Sequence, residues 1–466
     1  MGLILVACFH AAYLPAQSGV GSLAIIGYVV CLVQLARLRT TRQCFYTGLA
    51  TGFACVAPQL ECFWRIFSAA AIGLWLVLAL WIALFVALTH LAIVHLGLKR
   101  AAILVPFLWT GLEYFRSELY YLRFSWLNVG YAFAESSICP WNYLGVYGMG
   151  FVIAAGSSWL LVTSAKRVLT FTAITPGALF LIAFVVLPTA KIKRTAPDLR
   201  VAGVQLEFPD GDQIIRALDQ IVTEDYNLVA NHVGNRPVEL VVLSEYTLDG
   251  EPPQSLRDWC KANGKFLIVG GKDTSPGTNY YNTAFVISTN GEIVFKQVKS
   301  VPIQFFKDGL PAPEQKLWES PWGKIGIAIC YDLSYARVMD ELVRQGAQML
   351  IVPTMDVADW GRRQHELHAR IAPVRAAEYG IPLFRVASSG ISQGVDSFGR
   401  VQASAPFPGE GELIFFDAHL GAKGSLPMDR WVAPVSVVVT GAFALWLLIG
   451  ARKRVHASPP TPVSAT

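Results

Sequence analysis

Cys330 stands where an apolar run meets a predicted helix, a position that can make a thiol reactive. Residues 325–329 are typical of a buried strand, and residues 334–345 predict a helix that ends before Gly346. A thiol at such a turn is held at the edge of a sheet, and the amides at the helix N-terminus favour its thiolate. Cys330 is therefore a candidate nucleophile, although a buried and unreactive core thiol fits the same pattern.

Glu245 occupies a similar place at the end of another predicted strand. Residues 238–243 form an almost continuous apolar run, and Glu245 follows directly after Ser244. A carboxylate there is costly unless it is paired or used in chemistry, and a helix cap or a solvated loop acid is the alternative interpretation. Because two strand ends each offer a reactive group, we expect Glu245 and Cys330 to share one site.

A positive charge for this site is expected from a predicted hairpin. Residues 281–288 and 292–298 predict two strands around the turn at residues 289–291. Lys296 and Lys299 lie on or just after the second strand. A glutamate base, a cysteine nucleophile and a lysine that stabilises an oxyanion together suit acyl transfer through a thioester.

Much of the chain is more apolar than a soluble protein. Of its 466 residues, 53% are hydrophobic and 15% are charged, and the mean hydropathy is +0.44, whereas soluble proteins carry about 25% charged residues. The apolar segments predict eight membrane spans, at residues 2–16, 18–36, 43–61, 67–97, 101–116, 143–163, 168–189 and 431–450.

These spans divide the chain into four predicted parts. Residues 1–190 are predicted to be a helical membrane domain with seven spans, and residues 196–428 a water-soluble domain. Residues 431–450 are the eighth span, and residues 451–466 are a basic, disordered tail. Strand and helix patterns alternate through 196–428, which predicts an α/β domain with helices packed on sheets.

Basic residues give the predicted orientation of the spans. Ten of them follow the second, fourth, sixth and eighth spans, and therefore collect on one side of the membrane: Arg37, Arg39, Arg42, Lys99, Arg100, Lys166, Arg167, Arg452, Lys453 and Arg454. That side is expected to be cytoplasmic, so the soluble domain lies outside the cytoplasm. Lys191, Lys193 and Arg194 are exceptions on the opposite side.

An aromatic stretch, residues 120–131, lies between the fifth and sixth predicted spans. It is typical of an interfacial aromatic belt. Alternatively, it is a loop that dips into the membrane surface and lines a lipid site. Just before it, Glu113 and Arg116 are spaced to pair on one helix face near a membrane boundary.

Other classes of site are not supported by the sequence. Its eight cysteines, at residues 8, 31, 44, 55, 62, 139, 260 and 330, show no CxxC pair and no metal-ligand spacing. We therefore predict neither a disulfide framework nor a zinc site. The sequence also has no glycine motif of a dinucleotide site or a P-loop.

The soluble domain resembles the nitrilase, or carbon–nitrogen hydrolase, superfamily. Three segments carry the likeness, namely Val201-Ala202-Gly203-Val204-Gln205, Leu243-Ser244-Glu245 and Gly323-Lys324-Ile325-Gly326-Ile327-Ala328-Ile329-Cys330-Tyr331-Asp332. With seven predicted spans before this domain and one after it, the whole chain resembles the apolipoprotein N-acyltransferase family. Six further segments fit that family, at residues 109–116, 124–131, 145–148, 364–365, 375–378 and 385–392. The resemblance implies an αββα sandwich with a Glu-Lys-Cys triad.

The lysine segment departs from the family pattern, which has the form Tyr-x-Lys-x-x-Leu-Val-Pro-Phe-Gly-Glu. Aligned without a gap, the lysine position is Gln297 and the later glutamate position is Phe305. Lys299 faces the same side of a strand as Gln297, whereas Lys296 faces the other side unless a bulge re-aims it. We therefore expect Lys299 to complete the triad with Glu245 and Cys330, because a neutral glutamine does not lower a thiol pKa as a cation does.

The resemblance implies a multi-pass acyltransferase of the bacterial inner membrane. Glu245 would take the proton of Cys330, and the thiolate would attack an acyl ester of a phospholipid and release a lysophospholipid. The acyl thioester would then pass its chain to the N-terminal amine of a diacylglyceryl apolipoprotein. Tyr331 and Asp332 would shape the pocket, and His365 would be a surface or supporting histidine. No metal, organic cofactor or nucleic acid is expected to take part.

Two other functions stay open at this point. A membrane-tethered amidase would hydrolyse a carbon–nitrogen bond through the same thioester, with water as the acceptor, although the aromatic loop argues against it. Alternatively, the residues at positions 297 and 305 mark a degraded site that only binds lipid or lipoprotein.

Overall fold

The structure, a computed structural model, describes residues 1–14, 21–134, 136, 139–162, 198–231 and 236–456. Its N-terminal part is helical. The α-helices there are α1 (Gly2–Tyr13), α2 (Ala24–Leu35), α3 (Thr41–Gln59), α4 (Cys62–Phe67), α5 (Ala70–Leu96), α6 (Leu98–Tyr114) and α7 (Trp141–Trp159).

Strands and helices alternate after residue 198. The strands are β1 (Leu199–Val204), β2 (Leu240–Val242), β3 (Phe266–Asp273), β4 (Tyr281–Ile287), β5 (Ile293–Val298), β6 (Leu317–Ser320), β7 (Gly323–Ile327), β8 (Met349–Thr354), β9 (Leu383–Ala387), β10 (Ser392–Val395), β11 (Val401–Ala405) and β12 (Leu413–Ala418). The helices are α8 (Gly211–Asn231), α9 (Gln254–Asn263), α10 (Ala336–Arg344), α11 (Arg362–Ala369), α12 (Ile371–Tyr379) and α13 (Asp429–His456).

Two helices in the described ranges are long and apolar enough to cross a membrane. They are α5, with 27 residues and a mean hydropathy of 2.7, and the segment Asp429–Arg452 of α13, with a mean hydropathy of 2.3. Helices α1, α2, α3, α6 and α7 coincide with other predicted spans, but the count of eight spans stays a prediction. The predicted span at residues 168–189 lies outside the described residues.

Two six-stranded sheets form the second half of the protein. Their strand orders are β12-β1-β2-β3-β4-β5 and β11-β10-β9-β8-β7-β6. In each sheet three central strands are parallel, β1 to β3 in the first and β7 to β9 in the second, and the outer strands pair antiparallel. Each sheet therefore has an edge where the carboxyl ends of its parallel strands meet, next to the loops that follow β2 and β7.

The sheets face each other across an apolar core, which confirms the predicted αββα sandwich. Side chains of β1, β2 and β3 pack there against those of β7, β8 and β9. The outer face of the first sheet packs on α8 and α9. The outer face of the second sheet and helices α10 to α12 share one continuous apolar core with the N-terminal helices. The helical part is thus packed directly on the α/β domain.

The sequence interpretation missed some elements. The edge strands β6 and β12 were not predicted, and residues 362–379 form two helices, α11 and α12, that meet at Arg370. Pro373 explains the break, because its ring nitrogen cannot donate to the carbonyl of Ala369 one turn earlier. Glu113 and Arg116 have different main partners rather than each other. Glu113 accepts from the amide of Val129 at 2.9 Å, and Arg116 donates to the Asn128 side chain.

A buried ion network joins α13 to the α/β domain. Arg430 donates to Asp340 at 2.8 Å, to Glu378 at 3.1 Å and to Asp429 at 2.6 Å. Gly145 makes this network possible, since its φ of +66° interrupts α7 and a Cβ there would lie 2.2 Å from an Asp429 oxygen.

The break in α7 exposes two backbone amides at the start of a new helical segment. The amide of Val146 donates to Glu378 at 3.0 Å, and that of Tyr147 donates to Asp429 at 2.9 Å. Both carboxylates therefore cap a helix N-terminus while they bind Arg430. The network ties α7, α12 and α13 together.

We expect Arg430→Ala to destabilise the protein by about 3–5 kcal/mol, because it leaves three buried carboxylates without their shared cation. Arg344→Ala is a matched control, since Arg344 also pairs with Asp340 but is 54% exposed, and its loss should cost about 1 kcal/mol or less. Thermal unfolding of both variants in detergent measures the difference. Equal shifts of the midpoint would contradict a role for burial.

Candidate active site

Cys330 opens a tight turn at the carboxyl end of the strand β7. The turn is a 3₁₀ helix, Cys330–Ser334, and α10 begins after it. Cys330 has a φ of +52°, a conformation that is strained for a residue with a side chain and that is found most often at functional sites. The predicted placement of Cys330 at a strand-to-helix turn is thus what the structure shows.

Glu245 follows the strand β2 on the facing sheet. It is 2% exposed, and its loop lies directly against β3, where a Cβ on Gly270 would be 2.5 Å from the Glu245 Cα. Only glycine leaves room for this approach. Tyr246, the next residue, has a φ of +54°, which turns the chain sharply away and leaves the carboxylate between the sheets.

The backbone of one residue, Met355, links Glu245 and Cys330. The amide of Met355 donates to Glu245 Oε2 at 2.9 Å, and its carbonyl oxygen accepts from Cys330 Sγ at 3.8 Å. Met355 follows the strand β8, which lies beside β7 in the second sheet. Glu245 and Cys330 are therefore brought to one site, as we expected. The residue after the strand β8 lies between them and contacts both.

Lys299 lies in the same site, fully buried between two carboxylates. Its Nζ is 2.8 Å from Glu245 Oε1 and 2.7 Å from Asp308 Oδ2. Asn282 completes the cluster, donating to Glu245 Oε1 at 2.6 Å and to Asp308 Oδ1 at 2.9 Å. The expected position of Lys299 is thus met, and its catalytic role stays a proposal.

The other two candidates for the lysine position point elsewhere. Lys296 is partly exposed and binds Glu251 and Asp273 at 2.8 and 3.0 Å. Gln297 donates to the carbonyl of Val298 at 2.9 Å and accepts from the amide of Lys316 at 3.2 Å. Strand alternation correctly separated Lys296 from Lys299, whereas Gln297, expected on the same face as Lys299, makes its contacts outside the cluster.

The charges of the site favour a protonated cysteine and a basic glutamate. Burial raises the pKa of Cys330 well above its ordinary value, and the Glu245 charge raises it further, against a smaller opposing effect of Lys299. Burial also raises the pKa of Glu245, which Lys299 lowers and Asp308 raises again. These directions favour the thiol form of Cys330, and the expected effect of the helix amides on its thiolate stays a prediction.

This arrangement suits general base catalysis. A carboxylate whose pKa lies above its ordinary value is a better proton acceptor near neutral pH. Lys299 stays charged, because Glu245 and Asp308 raise its pKa against the effect of burial. The site therefore holds a proton acceptor, a thiol and a fixed cation within one buried cluster.

Asp332 connects the cysteine turn to the lysine segment. Its carboxylate accepts from the amides of Ser300 at 3.0 Å, Val301 at 2.7 Å and Ile329 at 3.2 Å. Burial raises its pKa to about 6, and these amides partly oppose that shift. Asp332 thus holds the backbone next to Lys299 against the backbone next to Cys330, rather than lining a pocket as predicted.

Asp356, which follows Met355, is the centre of a second buried cluster. Its Oδ1 accepts from Gln364 at 2.8 Å and lies 2.9 Å from His368 Nδ1, and its Oδ2 binds Arg385. Burial raises its pKa, but the charges of His368 and Arg385 reverse this and hold it well below its ordinary range. The predicted supporting role of His365 is consistent with its place here, 3.3 Å from the Asp356 carbonyl oxygen.

The aromatic loop from the helical part reaches both clusters. Trp126 stacks on His368 with ring centres 4.7 Å apart and donates to Ser334 Oγ at 2.9 Å. Tyr331 donates to the carbonyl of Arg123 at 3.0 Å. The loop at residues 120–131 therefore supports the cysteine turn directly.

An apolar cavity begins next to Cys330, at Tyr331. Helices α4 and α5 form one wall, residues 122–126 of the aromatic loop a second, and residues 303–306 a third. Phe305, at the family's glutamate position, lies on this wall. Phe67 of α4 makes edge contacts with Phe305 and Phe306, with ring centres 6.0 and 5.8 Å apart. The helical part and the α/β domain thus build the cavity together.

Four residues of the site were not predicted from the sequence, namely Asn282, Asp308, Met355 and Asp356. Only Asp308 could have been suspected from the sequence. A two-residue gap in the alignment would place Lys299 at the family's lysine position, and the family's glutamate would then align beyond Phe305. The other three lie in segments whose local pattern gives no sign of chemistry. Their roles come from contacts between distant strands.

We expect Asp356→Asn to slow alkylation of Cys330 by iodoacetamide about 10- to 100-fold, because a small misplacement of reacting groups costs rates of this size. The direction of the change in the alkylation rate distinguishes two effects of Asp356. The Asp356 charge raises the Cys330 pKa, so removing only the charge would speed the reaction. Peptide mass mapping follows Cys330 alone.

Asp340→Asn is the matched control for this test. It also removes a buried carboxylate from an arginine, here Arg430 at 2.8 Å, in the ion network between α10, α12 and α13. If both variants slowed alkylation equally, Asp356 would be a structural residue and not one that positions the Met355 peptide.

Comparison with known proteins assigns the two halves of the chain. Residues 228–415 match the carbon-nitrogen hydrolase family, and residues 2–159 match the apolipoprotein N-acyltransferase N-terminal domain. The chain is 24% identical to the apolipoprotein N-acyltransferase of Shewanella oneidensis, over 78% of this chain and 79% of that protein. It is also 24% identical to that of Geobacter metallireducens, over 94% and 93%.

A solved structure, the carbon-nitrogen hydrolase from Helicobacter pylori G27, is 18% identical and covers 47% of this chain and 89% of its own, with a TM-score of 0.39. The N-terminal match and the hydrolase match follow each other in one chain, and the relatives match over most of their length. The chain therefore carries an apolipoprotein N-acyltransferase N-terminal domain followed by a carbon-nitrogen hydrolase domain, and it is similar to apolipoprotein N-acyltransferases over most of its length.

Proposed function

We propose that this protein is an N-acyltransferase that moves a fatty acyl chain from a phospholipid to the N-terminal amine of an apolipoprotein, through a thioester on Cys330. The observation that carries the proposal is the buried cluster of Glu245, Lys299 and Cys330 beside an apolar cavity. The relatives named apolipoprotein N-acyltransferase supply the reaction class.

The first half-reaction acylates the cysteine. Glu245 accepts the thiol proton, and Cys330 Sγ attacks the carbonyl carbon of the phospholipid ester. Lys299 stabilises the negative charge on the former carbonyl oxygen. The carbon–oxygen bond then breaks, Glu245 returns the proton to the glycerol oxygen, and a lysophospholipid leaves.

The second half-reaction transfers the chain. The amine of the acceptor attacks the thioester carbon, and the carbon–sulfur bond breaks as the amide forms. Glu245 takes a proton from the amine, and Cys330 regains one as its thiol. Burial raises the pKa of the Cys330 thiol, so the leaving thiolate takes up a proton readily. Glu245, which has just accepted a proton from the amine, is the donor.

The apolar cavity fits the acyl chain. Its walls are mostly aromatic and aliphatic side chains, and α5, one of the two helices able to cross a membrane, forms part of them. The fatty acyl chain would therefore reach the cysteine from the bilayer without entering water, which avoids the free-energy cost of exposing its apolar surface. We infer that residues 196–428 are a catalytic domain on the outer face of the bacterial inner membrane, held by the flanking spans.

We expect incubation of the purified protein with phospholipid to produce an acyl adduct on Cys330, visible as a gain in intact mass, because the thiol has a base and a cation beside it. Cys330→Ser should show no adduct. Release of the adduct by water alone would favour an amidase, and no adduct on the wild type would favour a binding scaffold.

We expect Lys299→Met to cut the rate of acyl-enzyme formation by about 10²–10³, the cost of one oxyanion donor. Lys296→Met is the matched control, since Lys296 binds Glu251 and Asp273 at the surface, and it should change the rate by less than about twofold. Mass spectrometry after timed quenching measures both.

Gln297→Lys should not rescue Lys299→Met, contrary to what the family pattern suggests, because both polar contacts of Gln297 are to backbone outside the cluster. Normal acylation by Lys299→Met would remove Lys299 from the mechanism. Rescue by Gln297→Lys would return position 297 to it.

A further inference from the structure

A second pocket lies beside the site, on the side away from the helical part. Its walls come from the α/β domain, and they include Phe208, Tyr246, Lys272, Tyr280, Lys307 and Met355. Unlike the apolar cavity, this groove is lined by two lysines, two tyrosines and the carboxylate of Asp249, which pairs with Lys272 and leaves Lys307 as the lysine of the lining without an ion pair to it. Nothing in the proposed reaction as described above uses it.

One loop separates the groove from the apolar cavity. Residues 303–306 line the cavity, Lys307 lines the groove, and Asp308 turns inward to bind Lys299 at 2.7 Å. The carbonyl of Lys307 accepts from the Tyr280 hydroxyl at 2.6 Å, which fixes the loop at this point. The two pockets thus lie on opposite sides of a loop that itself belongs to the catalytic cluster.

The groove touches the reacting groups through two residues. Tyr246 follows Glu245 directly, and its hydroxyl donates to Asp308 at 2.8 Å. Met355, on the groove wall, donates to Glu245 and accepts from Cys330. The groove is therefore one residue away from both Glu245 and Cys330.

The chemistry of the groove suits a polypeptide. A peptide backbone in the apolar cavity would leave its N–H and C=O groups without partners, which costs several kcal/mol per group. In the groove, Tyr246 and Tyr280 offer hydroxyls, and Phe208 offers an exposed ring. Lys272 lies 5.2 Å from the ring centre of Tyr280 and pairs with Asp249, while Lys307 adds a second positive charge.

We propose that this groove holds the polypeptide segment that follows the N-terminal residue of the acceptor, and that Lys307 favours an acidic side chain in that segment. The inference rests on the proposed function, since it gives the apolipoprotein acceptor a binding surface separate from that of the acyl chain. The acyl chain occupies the apolar cavity, and the peptide leaves toward water on the other side of the loop at residues 303–308.

The test uses two synthetic diacylglyceryl peptides that differ only in having two acidic or two basic residues after the lipid-bearing cysteine. The readout is the ratio of their kcat/KM values in acyl transfer, because kcat/KM for the acceptor reports the second half-reaction alone. We expect the wild type to prefer the acidic peptide about two- to fivefold, the range of exposed ion pairs. Lys307→Glu should reverse the preference.

Lys261→Glu, on the exposed surface of α9, is the matched control and should keep the wild-type ratio. The preference of the wild type should also shrink as salt is raised to about 1 M, where the Debye length falls to about 3 Å. A ratio that Lys307→Glu leaves unchanged would overturn the groove proposal.

A binding measurement separates this result from failure of the proposed function. The affinity of Cys330→Ser for the two peptides, labelled with a dye, requires no chemistry. A Lys307-dependent preference in binding supports the groove even if the wild type forms no acyl-enzyme. Equal binding of both peptides, with and without Lys307→Glu, rejects it even if acylation of Cys330 is normal.

Discussion

The site depends on one buried cation shared by two carboxylates. Lys299 has no exposed side-chain surface, and it lies within 2.8 Å of both Glu245 and Asp308. Burial raises the pKa of Glu245, Lys299 lowers it and the charge of Asp308 raises it again, so it stays above its ordinary value. The same ion pairs hold Lys299 against Glu245, so the positions of the proposed base and the proposed stabiliser depend on each other.

The backbone that surrounds this cluster is held from several directions. The Met355 peptide spaces the glutamate and the cysteine, and Asp356 anchors the next residue to Arg385 and His368. Trp126, from the helical part, stacks on that histidine. The N-terminal helices therefore also support the site. Their packing contributes to the order of the site, because the contacts that position the thiol extend into them.

The two pockets near the cysteine have walls of different polarity. The apolar cavity is bounded by α4, α5 and aromatic side chains, whereas the groove on the other side of the loop at residues 303–308 carries charges and hydroxyls. An acyl transfer from a lipid to a polypeptide must bring both kinds of molecule to the same atom. Separate walls of opposite polarity meet this requirement without burying unpaired peptide groups.

The sequence by itself determined the strand ends that carry Glu245 and Cys330 and the strand face that carries Lys299, because apolar runs and alternation are local signals. It also indicated the αββα sandwich through resemblance. Only the tertiary structure decided that Asp308 and Asn282 complete the cluster, that Met355 bridges Glu245 and Cys330, and that burial raises the pKa of the cysteine. These features arise from contacts between strands far apart in the chain, and desolvation is a property of the packed fold, which no local pattern encodes.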